Sequence, residues 1–247
     1  MAPLIALHIL AAVVWVGVAW AIRNDASAFA DFEFISYREY VGVSTALLLF
    51  VALSAPDAIC PDRRQQVLPL MFSRPLTGAD YVWSKVGALT AILFGFGFVP
   101  QVVLLVGRML VSDGALDYLT ENADVLWKVP LSVAALAVYY ACLGAALSSL
   151  TDRRIVGGVA IVGVCLVTLT IAGIFIGSSD DNASPGAVID LTFLPLSIRD
   201  LIFLGHVTSD TGLEGVQGGG ILAVTAYLVV VLASLGVLFH RYRRVDL

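Results

Sequence analysis

The sequence predicts an all-α, polytopic membrane protein, on the strength of its composition, its apolar runs and its charge distribution. Of the 247 residues, 59% are hydrophobic and 13% are charged, where a soluble domain carries roughly 45–50% and 25%. Mean hydropathy is +0.93. Six apolar stretches are long enough to cross a bilayer, at about 2–22, 42–59, 82–107, 129–150, 155–177 and 219–239. About 20 residues of helix rise about 30 Å, the thickness of the hydrocarbon layer. Inside lipid each segment must satisfy its own backbone polar groups, so the spans are helices. The whole chain, 1–247, reads as one transmembrane domain.

Taken in order, the first span carries Ala19-Trp20-Ala21, which has the look of a signal-peptidase site. No basic residue precedes its apolar run, however, and the segment is expected to be retained. The third span opens at Thr77-Gly78-Ala79-Asp80, a capping signature, and Pro100-Gln101 predicts a kink with a polar amide beside it. In the fourth span Gly144 and Ser148, and in the fifth Gly173 and Gly177, are small residues at helical spacing. Either pair could serve close packing within the chain or contact with a second copy. Residues 187–206 are also apolar, but a span there would place Asp190, Arg199 and Asp200 in lipid at about 2.5–3.5 kcal/mol each. With Leu194, Ile198, Leu201 and Ile202 on one face and Pro195 interrupting the run, this segment is expected to be an outer interfacial or re-entrant element before the last span.

Charge then sets the orientation. With both termini in the cytoplasm, the inner segments and span edges hold nine basic and five acidic residues, and the outer ones five and fourteen. The split of +4 and −9 adds to the net −5, and the basic excess marks the inner side. The localisation this predicts is a multi-pass protein of the cell membrane.

The stretch PDRRQQVLPLMFSRPLTGADYVWSK, residues 61–85, is polar and basic between two apolar spans. Asp62 is placed to cap a short helix with Gln65 three residues on, while Arg63 and Arg64 form a basic head. Val67, Leu68 and Met71 supply an apolar flank, Pro69 limits the length, and Arg74 precedes Pro75. Tyr81 and Trp83 suit an interfacial aromatic belt, and Lys85 can snorkel to the aqueous face. A plain connector has no need of Leu70, Met71 and Phe72, which read as a surface that something covers.

This stretch resembles the loop between the second and third spans of the permease subunits of type-2 ATP-binding-cassette (ABC) exporters. The likeness is carried by the charged cluster Asp62-Arg63-Arg64, then Ser73-Arg74-Pro75, then Tyr81 and Lys85. The six-span plan, the outer segment before the last span and the basic C-terminal end resemble the family's layout too. The resemblance implies a coupling helix at about 61–75 that docks on a cytoplasmic ATPase through Asp62, Arg63, Arg64, Val67, Leu68, Met71 and Arg74. It also implies a transport path formed with a second copy or a homologous permease. Two departures stand out. The family's basic helix before the first span is absent, so that element is trimmed or lost, and Gly78 stands where many relatives have arginine.

The chain's own chemistry is sparse. There is no G-x-x-x-x-G-K-[ST] motif, and the glycines of VQGGGILAV at 216–224 lack a lysine or hydroxyl for phosphate. ATP and magnesium are therefore expected in the partner ATPase, with no cofactor and no metal in this chain. Cys60, Cys142 and Cys165 are scattered and form no framework. His8 lies in the first span, His206 in an outer loop and His240 at the inner end. As an intramembrane ionisable group His8 is a candidate for the substrate path, with Pro100 and Gln101. The chain is expected not to be an enzyme and to have no nucleic-acid partner. Two other functions fit the sequence: the membrane component of an ABC-like complex for cofactor or respiratory-enzyme maturation, and, with less support, an intramembrane enzyme.

Overall fold

The structure is a computed structural model and describes residues 2–24, 36–41, 44–64, 77–112, 114–179, 183–208 and 211–243. Among these the fold is all-helical. The elements are α1 (Ala2–Asn24), α2 (Tyr37–Val41), α3 (Ser44–Arg64), α4 (Gly78–Val111), α5 (Ala115–Glu121), α6 (Val125–Ser149), α7 (Arg154–Gly177), a 3-10 turn (Pro185–Ile189), α8 (Leu194–Leu204) and α9 (Gly219–Arg243). Five segments are long and apolar enough to cross a membrane: Tyr37–Asp62, Gly78–Val111, Val125–Ser149, Arg154–Gly177 and Gly219–Tyr242. In α1 the described apolar stretch is the shorter His8–Val18.

α6 is the central helix. Its apolar window is 72% buried within the chain, against 17% for α7 and for α9. It packs on α3, α4, α7, α8 and α9. In a bilayer such packing depends on close van der Waals fit, because lipid is as apolar as leucine. Small residues supply the fit. A Cβ at Gly144 would stand 2.7 Å from Val51 and 3.1 Å from Ala55, so α6 lies hard against α3 there. A Cβ at Gly158 of α7 would stand 2.7 Å from the Ala52 carbonyl oxygen of α3. Gly107 of α4 leaves no room for a Cβ against Val16 of α1. Gly173 and Gly177 face open space. Of the two small-residue pairs, only the one in α6 packs against other described residues.

Helix ends agree with the sequence expectation in one place and differ in others. α4 starts at Gly78, four residues ahead of the apolar span, because Thr77 caps it as the Thr77–Asp80 signature predicts: its hydroxyl accepts from the Asp80 N–H at 3.3 Å, and its own N–H donates to Asp80 Oδ2 at 3.0 Å. α3 runs on through Pro56 and Pro61 to Arg64, past the expected end at 59. Asp62 therefore lies inside α3 and does not cap a new helix. Pro195 does not interrupt α8 but sits in its first turn, where the missing N–H has no partner to lose. α8 ends at Gly205, whose φ of 77° is the left-handed cap conformation that glycine adopts freely. With 11 residues and a rise of about 16 Å, α8 is too short to cross.

Candidate functional site

The helix ends that flank residues 65–76, which lie outside the described residues, are joined by a polar anchor. Tyr81 and Lys85 are four residues apart and so share a face of α4. Both turn toward the last turn of α3: the Tyr81 hydroxyl donates to Asp62 Oδ2 at 2.8 Å, and Lys85 Nζ stands 2.7 Å from the same oxygen. Lys85 also donates to the Ala58 carbonyl at 2.8 Å. Its stem folds back onto α3 and does not run out to solvent. Tyr81 is 6% exposed, with its ring 4.8 Å from that of Tyr242 on α9, so it is a buried strut and not part of an exposed aromatic belt. Trp83, 58% exposed, does sit on the outer surface of the bundle, edge-on to Phe239 at 5.8 Å. Cys60 Sγ donates to the Ser148 and Thr151 carbonyls, and Arg154 pairs with Asp57 at 3.1 Å. The ends of α3, α4, α6, α7 and α9 are thereby linked around the loop's attachment points.

Of the residues that the sequence assigns to the loop, Asp62 is in this anchor. Arg63 and Arg64 complete α3, with their side chains outside the described residues. Val67, Leu68, Met71 and Arg74 also lie outside the described residues.

The three path candidates fall in two different surroundings. His8 is stacked between Tyr40 and Phe96, with ring centroids at 5.4 and 4.9 Å, and the Tyr40 hydroxyl donates to the His8 carbonyl at 2.8 Å. This histidine packs as an aromatic. Pro100 is buried within an unbroken α4. Gln101 is 2% exposed, and neither atom of its amide has a hydrogen-bond partner among the described residues. A small cavity of about 50 Å3 adjoins it, between Phe98, Val102 and Leu105 of α4 and Leu126, Val129 and Pro130 of α6.

Another buried polar cluster among the described residues lies at the other end of the bundle, and the sequence alone does not assemble it. Residues 185–204 form a helical hairpin whose turn is pinned by Tyr140, donating to the Thr192 carbonyl at 3.0 Å, and by the Leu191 N–H, donating to Thr168 Oγ1 at 3.4 Å. Thr168 lies about 14 Å along α7 from its Gly177 end, so the turn reaches well into the bundle. Asp190 is buried at that turn and accepts from the N–H groups of Thr192 at 2.8 Å and Phe193 at 3.2 Å. Burial pushes its pKa up, and these hydrogen bonds oppose the rise only in part. Beside it Tyr139 is fully buried, and its hydroxyl has no hydrogen-bond partner among the described residues.

Higher in the hairpin, Asp200 is 0% exposed and receives two guanidinium groups. Arg38 of α2 donates from Nε to Oδ1 at 2.9 Å and from Nη2 to Oδ2 at 3.2 Å. Arg199 Nε donates to Oδ1 at 2.8 Å, and its Nη1 reaches the Arg38 carbonyl at 3.3 Å. Thr208 donates to Oδ2 and accepts from Arg38 at 3.0 Å. Burial alone would raise the pKa of Asp200; the hydrogen bonds from Arg38 and Thr208, with the charge of Arg199, outweigh it and hold the carboxyl below its usual range. The sequence signal was present, since ionisable residues in an apolar segment must be paired. Its partner, Arg38, lies 162 positions away, which no local spacing reveals.

Among the described residues no group of three or more His, Cys, Asp or Glu could hold a metal ion. The clusters are built of ion pairs and hydrogen bonds that fix one helix to another. Comparison with known proteins finds no matching family model and no matching curated protein.

Proposed function

We propose that this chain is the membrane-embedded permease subunit of an ABC transporter, an exporter, driven by a separate ATPase. The observation that carries the reading is the anchor. Asp62, Tyr81 and Lys85 tie both ends of the 65–76 loop to each other, and Tyr242 and Phe239 extend the connection to the last helix. A loop that only spanned a gap would need no such fastening. A loop that is pulled by a partner must pass force to the bundle, and rigid attachment at both ends does that. The resemblance of this stretch to the coupling loop of type-2 ABC exporters supports the same conclusion.

In this reading the chain crosses six times, with α1 as the first span and both termini in the cytoplasm. The 185–204 hairpin enters from the outer side and returns without crossing. Two bundles, identical or homologous, enclose the path. Arg38, Arg199 and Asp200 hold the hairpin to α2, the short helix just ahead of α3 in the chain, so that movement driven at the loop is carried along α3 toward the outer face.

The test is a pull-down beside ATPase and transport assays on the same preparations. Leu68→Asp combined with Met71→Asp is expected to release the ATPase while the bundle stays folded, since burying each apolar side chain is worth about 1.5–3 kcal/mol. Arg74→Ala is expected to keep the complex but weaken the link between hydrolysis and transport. If the double variant still binds its ATPase normally, the coupling role is wrong.

A further inference from the structure

At the loop end of the bundle, the last turns of α9 and the end of α6 leave a cavity of about 410 Å3 lined by Leu150, Gly236, Val237, His240 and Arg241. Its walls are of two kinds. Leu150 and Val237 are apolar and 56% and 42% exposed. Gly236 forms an open floor, where an added Cβ would meet nothing within 4 Å. His240 and Arg241 supply the polar wall, and among the described residues neither makes a hydrogen bond or an ion pair. Lys85 and Arg154, at the same end, are each held by a carboxylate. Arg241 is half-buried and has none among the described residues.

We propose that this cleft binds an anionic phospholipid, with the headgroup phosphate on Arg241 and His240 and an acyl chain along Leu150 and Val237. The charge decides the headgroup. A neutral or zwitterionic lipid would leave the half-buried guanidinium without net counter-charge, whereas basic clefts between membrane helices suit anionic headgroups. The apolar walls decide that the anion comes from a lipid, because a free phosphate would leave Leu150 and Val237 bare. The position agrees: Phe239, beside His240, carries the exposed Trp83 on its ring, and tryptophan marks the membrane–water interface. The inference rests on the chain lying in a membrane and is independent of what it transports.

The test is native mass spectrometry of the delipidated full chain in detergent, titrated with dioleoylphosphatidylglycerol or dioleoylphosphatidylcholine. The expected result is one saturable adduct that favours the anionic lipid by on the order of fivefold or more, the factor one basic residue carries near a charged membrane surface. Arg241→Gln should abolish the preference. Gly236→Leu, which fills the floor and leaves the charges in place, should lower occupancy for both lipids. Lys128→Gln, at the opposite end of the bundle, should change nothing. The proposal fails if Arg241→Gln keeps the preference, if Gly236→Leu binds as the parent does, or if excess glycerol phosphate displaces the lipid. It also fails if no adduct forms because a second copy of the chain covers the cleft.

Discussion

Asp62 and Asp200 each meet basic partners, but their surroundings differ and so do the expected effects of changing them. Asp200 is fully buried, with Arg38 and Arg199 on it. Removing its charge leaves two guanidinium groups facing each other, and breaking a buried pair in this way destabilises by about 3–5 kcal/mol. Asp200→Asn is therefore expected to lower the unfolding temperature in detergent markedly, and adding Arg199→Met to that variant should restore part of the loss. The pH dependence follows from the direction of the shift. Asp200's carboxyl is held below its unfolded value of about 3.9, so its stabilisation is present above that pH and lost as pH falls through the folded pKa. Asp190 is shifted upward by burial, so its contribution is full below about 3.9 and is lost as pH rises through its folded pKa. Comparing stability-against-pH curves of Asp200→Asn and Asp190→Asn should show the acid limb vanish in the first. In the second, the fall in stability as pH rises above about 3.9 should be gone. The Lys85–Asp62 pair is part-exposed, at 28% and 21%, and pairs of that kind contribute about 1 kcal/mol or less. Lys85→Met is thus expected to leave the unfolding temperature nearly unchanged while reducing transport per ATP hydrolysed by the assembled complex. A loss of fold with no separate loss of coupling would remove the anchor's assigned role.

Helices report on how they were specified. The capping box of α4 was legible because Thr77 and Asp80 stand three apart ahead of an apolar run, and the structure has both reciprocal bonds. Thr77→Ala should destabilise by about 1 kcal/mol, read as earlier thermal unfolding. The end of α3 was not legible, since Asp62 with Gln65 reads equally well as the start of a helix. What decides is the long-range claim of Tyr81 and Lys85 on Asp62, which keeps that residue in α3. Glycine pairs were ambiguous for the same reason: spacing shows a face, not what it meets. Gly144→Val should destabilise by about 1–3 kcal/mol through overpacking against Val51 and Ala55. Gly173→Val adds a side chain where nothing lies within 4 Å, and the monomer's unfolding temperature should not change. If it falls alongside loss of a dimer band on cross-linking, that face of α7 meets a second copy.

Across the whole molecule, hydropathy located the long helices to within a few residues because the bilayer demands long, internally bonded apolar segments. It left the hairpin as an interfacial or re-entrant element, on the ground that Asp190, Arg199 and Asp200 are costly in lipid, and the structure meets that cost by burying all three inside the protein. Protein interior at membrane depth tolerates charge when partners are supplied, and Arg38 supplies one. The hairpin's side of the membrane follows from the crossings between it and the 60–81 loop. If α4, α6 and α7 all span, the connection 178–218 lies on the face opposite that loop whether or not α1 spans, and in the proposed reading the basic excess marks the loop's side as the cytoplasm. Single cysteines at Ser179 and Ser73, in a version with Cys60, Cys142 and Cys165 replaced, should then react with an impermeant maleimide from opposite sides of sealed vesicles. Ser179 is half-buried just past the end of α7, next to the exposed Ser178, so a cysteine there stands within reach of an aqueous reagent. Labelling of both positions from one side would put residues 60–81 and 178–218 on the same face, which neither the six-span arrangement nor an outer hairpin survives.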